Sequence, residues 1–94
     1  MRKLPLDLRI LDIVRQHAPI SPRDLQRRCG VRPGTKNIQV MLFGPTLTGF
    51  SEEFCAAFCP LVCAGVLRLE QLRPGWKSGW RVVMGEARQN RYIA

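Results

Sequence analysis

The chain has one histidine, His17, and only seven acidic residues in 94. A histidine-based catalytic centre is therefore poorly supplied, and so is a two-carboxylate nuclease site. The four cysteines, Cys29, Cys55, Cys59 and Cys63, form no C-x-x-C pair. A structural zinc site, which needs four such ligands at close spacing, is not expected. There is no Gly-rich loop ending in Lys and Ser or Thr, no H-E-x-x-H and no G-x-S-x-G. Phosphate-cradling, zincin and nucleophile-elbow chemistry are thus not indicated. No enzyme activity, cofactor or small-molecule substrate is expected. No apolar run approaches the roughly eighteen residues needed to cross a bilayer. Asp7 and Arg9 interrupt the N-terminal stretch where a signal-peptide core would lie. The expectation is a cytoplasmic protein with no membrane partner, its cysteines reduced.

Positive charge is what the chain has in excess. Fifteen Lys and Arg give a net charge of +8 and a pI near 10.4. A polyanion is the natural partner, because each neutralised phosphate releases condensed counterions. The hydrophobic share of 46% is enough for a core, so disorder is not expected over most of the chain. The length suits one domain, 1–85, followed by a basic tail, 86–94.

The patterning predicts a mostly α chain with a small β-hairpin, an α+β class. Leu6, Ile10, Ile13, Val14 and His17 recur at helical spacing and predict a helix over 6–17. Ser21, Pro22 and Asp24 form a helix start with a capping box, and Gly30 a stop, giving a helix over 22–29. Ile38, Met41 and Leu42 at i, i+3, i+4 predict a third helix over 33–43. Its outward positions are Thr35, Lys36, Asn37, Gln39 and Val40. Residues 44–49 read as a loop. Ser51 caps a fourth helix, 51–64, with Phe54, Phe58, Leu61 and Val62 on one stripe and Cys55, Cys59 and Cys63 on a second. That helix is apolar over most of its circumference, which predicts burial, and its thiols read as small core hydrophobes. Pro60 should kink or split it. Strands over 66–72 and 80–84 flank a basic, aromatic turn and complete the hairpin.

Leu25, Gly30, Val31, Thr35, Ile38 and Leu42 resemble the spacing of bacterial and phage helix-turn-helix regulators. The hairpin downstream extends the resemblance to the winged helix-turn-helix family, over about residues 6–84. In that family a recognition helix enters the DNA groove and the hairpin, the wing, touches the backbone beside it. The resemblance implies a recognition helix at 33–43 carrying Arg32, Thr35, Lys36, Asn37 and Gln39. Arg23, Arg27 and Arg28 would hold backbone, and Arg73, Trp76, Lys77 and Arg81 would serve the wing. A rival alignment makes 51–64 the recognition helix and 33–50 an insertion. It is disfavoured because that helix begins with two glutamates and is otherwise nearly all apolar.

The function expected on this basis is binding of double-stranded DNA as a small transcriptional regulator. A homodimer is expected, since one short element reads few base pairs. The alternative is a protein-binding adaptor, such as a phage-type inhibitor, that reuses the winged-helix scaffold with Trp76 and Trp80 as exposed anchors. Binding of RNA or single strands through the wing aromatics is a weaker third reading.

Overall fold

The computed structural model describes residues 4–39, 46–71 and 79–87. Their order is α1 (Leu6–His17), α2 (Pro22–Arg28), β1 (Lys36–Gln39), β2 (Thr46–Phe50), α3 (Glu52–Cys63), β3 (Leu67–Gln71) and β4 (Trp80–Met84). The class is α+β, with three helices and two antiparallel hairpins among the described residues. None of these helices is long and apolar enough to cross a membrane.

α1 forms where the spacing places it and buries Ile10, Leu11 and Val14. His17 is exposed in its last turn, where the negative end of the helix dipole suits it. α2 begins as its capping signal requires. The Ser21 Oγ accepts from the Asp24 backbone N–H at 3.1 Å, and Pro22 takes the first turn. Gly30, at φ 77°, ends the helix in the left-handed region. Arg9 of α1 donates to the Cys29 carbonyl at 2.5 Å and so ties the two helices together.

The third helix expected over 33–43 is not there. Lys36–Gln39 is a strand, paired antiparallel with Thr46–Phe50, and residues 40–43 lie outside the described residues. The segment is a strand by its pairing: Lys36 stands opposite Phe50, Ile38 opposite Leu47 and Gln39 opposite Thr46, with Ile38 the one buried residue of the four. Pro33 and Gly34 also give a helix no start. Gly34 instead donates to the Gly49 carbonyl at 3.3 Å and closes the open end of the hairpin. A Cβ at Gly34 would stand 2.8 Å from the Phe50 carbonyl oxygen. Only glycine lets the chain run so close to its partner. The described part of the stretch expected as a loop, Thr46 to Gly49, is the return strand.

α3 is the central strut. It packs against α1, β1 and β3. Ser51 caps it by accepting from the Phe54 N–H at 3.0 Å, and Glu52 and Glu53 occupy the electropositive first turn. Phe50, Phe54 and Phe58 stack in succession, with ring centroids 5.7 and 5.2 Å apart. Pro60 lies inside the helix without splitting it. The hydrogen bond it forfeits falls to the carbonyl of Ala56, an exposed residue that water reaches. Burial is confined to one stripe: Phe54, Phe58 and Leu61 are buried, whereas Cys55 and Cys59 are half-buried and Cys63 is exposed. The cysteines therefore line the rim of the core rather than filling it.

The β3–β4 hairpin pairs without interruption from Leu67 with Met84 to Gln71 with Trp80. Leu67, Trp80 and Val82 face the core. The outer edge of β4 is covered by Ile20, which exchanges hydrogen bonds with Val82 at 3.2 and 2.7 Å.

Candidate nucleic-acid interface

Between Ala18 and Ser51 the sequence holds one acid, Asp24, against five cations: Arg23, Arg27, Arg28, Arg32 and Lys36. The fold gathers this stretch into α2, the turn after it and the β1–β2 hairpin. Arg23, Arg27 and Arg28 project from the exposed side of α2. Asp24 is ion-paired with both Arg27 and Arg28, the latter at 3.0 Å. Hydrogen bonds from Arg28 and then Arg27 hold its carboxyl below the usual carboxylate range. Arg23 leans the other way, donating weakly to the Thr48 carbonyl at 3.4 Å across to β2.

Arg23 borders two open grooves. One, of about 620 Å³, also takes in Arg27 and Arg32. The other, of about 400 Å³, runs between β2 and the start of β4 and takes in Arg81, Thr46 and Thr48. Arg81, Arg23, Arg27 and Arg32 thus follow one continuous basic track.

The hairpin beside this track has two unlike faces. Ile38, Leu47 and Phe50 turn inward to the core, with β1 against α3 and β2 against α2. Asn37, Gln39, Thr46 and Thr48 are exposed on the other face, with Gln39 directly opposite Thr46. Each of these four side chains is uncharged and able to hydrogen-bond. The hairpin is held to α2 by Gln26, which is 2% exposed. Its Oε1 accepts from the Ser51 N–H at 2.9 Å, and its Nε2 donates to the Gly49 carbonyl at 3.4 Å.

Arg32, Thr35, Lys36, Asn37 and Gln39 are exposed and close together, as the sequence suggests, but on a turn and a strand instead of a recognition helix. Arg23, Arg27 and Arg28 stand on α2 as expected. Arg81 is half-buried and donates to the Trp80 carbonyl at 2.9 Å. Trp80 is 8% exposed, so it is a core residue and not an exposed anchor. Arg73, Trp76 and Lys77 lie outside the described residues. Thr46, Thr48 and Gln26 escaped the sequence reading. The alternation Thr-Leu-Thr was the available signal for the first two; for Gln26, on a helix among arginines, there was none.

Among the described residues no three His, Cys, Asp or Glu side chains converge as a metal cluster. No family model, no characterised protein sequence and no solved structure matches the chain.

Proposed function

We propose that the protein binds double-stranded DNA and that the β1–β2 ribbon enters the major groove. The major groove of B-form DNA admits a two-stranded ribbon as readily as a helix. The observation that carries this reading is the outer face of Asn37, Gln39, Thr46 and Thr48. Asn and Gln can pair bidentately with adenine, and the Thr hydroxyl can hydrogen-bond a base edge while its methyl meets the thymine methyl. Arg23, Arg27 and Arg32 flank that face and would bind phosphates, which position a ribbon without specifying sequence.

The finer fold reading goes with it. The succession α1, Ile20 as a one-residue bridge, α2, α3, β3, β4 resembles winged-helix order, and in this reading the β1–β2 ribbon is an insertion before α3. α3 then occupies the slot of the recognition helix. It exposes Glu52, Glu53, Ala56, Pro60 and Cys63 and carries no cation. In this reading the inserted ribbon takes over the contact with DNA. A regulator built this way would act as a dimer, because one ribbon spans few base pairs.

The test is binding to random duplex, followed by anisotropy, between about 50 and 200 mM salt. Affinity should fall steeply, with a log-log slope reduced by about 0.9 for each of Arg23→Ala and Arg32→Ala. On a site selected from random sequence, Asn37→Ala and Gln39→Ala should each cost about 1–3 kcal/mol and relax base preference. Undetectable binding at low salt, or a slope near zero, refutes the reading.

A further inference from the structure

Among the described residues, the thiols of α3 are the one cluster of chemically reactive side chains that DNA binding leaves unused. Cys55, Cys59 and Cys63 recur every four residues along a single helix, so they stand one above another on one face. The flanking stripe of Phe54, Phe58 and Leu61 is what fills the core. The thiols sit at its edge, where a solute can reach them. Cys55 and Cys59 are close enough to be hydrogen-bonded to each other. The Lys36 ammonium, on the neighbouring strand, lies near enough to Cys55 to favour its thiolate.

We propose that Cys55 and Cys59 form a two-coordinate site for a soft monovalent cation of the Cu(I) type, with Lys36 as the charge partner of the resulting complex. Thiolate sulfur selects such cations over hard ones. Closed-shell monovalent ions of this class accept two ligands, so a pair suffices where a zinc site would need four. On binding, two S–H bonds break, two metal–sulfur bonds form and two protons pass to solvent. No electron is transferred. Two thiolates and one monovalent cation leave one negative charge, which Lys36 offsets. Thiolate and not thiol is the ligand, so the cation must displace both protons. Cys29 is the internal control. It is 3% exposed, and burial pushes its thiol up to about 11.

The experiment is an anaerobic titration in which the full chain competes with bicinchoninate for Cu(I). Wild type should withdraw one Cu(I) per chain. Cys55→Ser and Cys59→Ser should each weaken binding by about tenfold or more, while Cys29→Ser and Cys63→Ser leave it unchanged. Either of the first two variants binding like wild type overturns the proposal, as does a wild type no better than an equal concentration of glutathione thiol. X-ray absorption on wild type loaded with Cu(I) gives an answer that does not depend on any variant folding. Two sulfur neighbours are expected; three sulfurs, or nitrogen and oxygen neighbours, overturn it. Neither readout involves DNA, so this site and the ribbon stand or fall separately.

Discussion

The two hairpins flank α3 and are built on opposite logic. β3–β4 pairs over five consecutive registers and buries Leu67, Trp80 and Val82. Its free edge is closed by Ile20. β1–β2 has an irregular register between Lys36 and Ile38, and each of its strands has one fully buried residue, Ile38 and Phe50. Its described strands are also held by polar tethers, Gln26 on one side and the Gly34–Gly49 hydrogen bond on the other. A hairpin held at its base and polar on its outer face is suited to presenting side chains. A hairpin that buries Leu67, Trp80 and Val82 on one face is suited to holding a fold together.

Breaking the shared support should give the largest effect. Phe54 is fully buried between Phe50, at the end of the first hairpin, and Phe58. Phe54→Ala should cost about 3–5 kcal/mol, read as a drop in the denaturant midpoint. The two hairpins should then be separated by their glycines. A Cβ at Gly85 would fall 2.0 Å from the Gly65 carbonyl oxygen, against 2.8 Å from Phe50 for Gly34. Both neighbours are backbone, which yields little. Gly85→Ala should cost about 3 kcal/mol or more and lower global stability, and Gly34→Ala about 1–3 kcal/mol. Amide exchange sharpens the contrast. Gly34→Ala should accelerate exchange in β1–β2 before β3–β4, and equal acceleration of both would erase the distinction between the hairpins.

The tether comes next. Gln26→Ala leaves the Ser51 N–H and the Gly49 carbonyl without their side-chain partner in a part-buried setting. A loss of about 1–3 kcal/mol follows, with the same bias of exchange toward the first hairpin. A variant as stable as wild type would mean that water replaces Gln26 and that the hairpin does not depend on it.

The unequal legibility of the two hairpins has the same origin. Trp80 to Met84 buries its first and third residues, and the strand is plain in the sequence. The helices over 6–17 and 51–64 were legible because their apolar periods are long and their starts are marked, by Pro5 and by Ser51. Lys36–Gln39 contributes one buried side chain, and one residue defines no period. Ile38 could be joined to Met41 and Leu42 to read as a helix, or alternated with its neighbours to read as a strand, and the choice was made by Gly34 approaching Phe50 from a distance of sixteen residues. The cluster of candidate DNA contacts survived that error because proximity in sequence keeps Arg32 to Gln39 together on either element. Thr46 and Thr48 were missed because only the strand pairing puts them beside Gln39.

The smallest expected effect tests whether the basic track belongs to the presenting hairpin at all. Asp24 is the one acid in that region, and it occupies Arg27 and Arg28. Asp24→Asn keeps the backbone N–H that Ser21 caps and releases both guanidinium groups. Duplex affinity at low salt should rise, by less than about tenfold, and the log-log salt slope should steepen. Stability should move the other way, slightly, because Asp24 pairs with two exposed arginines at the surface and solvent screens those pairs. Its folded pKa lies below the ordinary value of 3.8, so the carboxylate's contribution is complete above that value. The stability gap between wild type and Asp24→Asn should therefore be constant near neutrality and close as pH falls below 3.8. If the substitution leaves affinity and salt slope unchanged, Arg27 and Arg28 do not face the phosphates, and the track must run through Arg23, Arg32 and Arg81 alone.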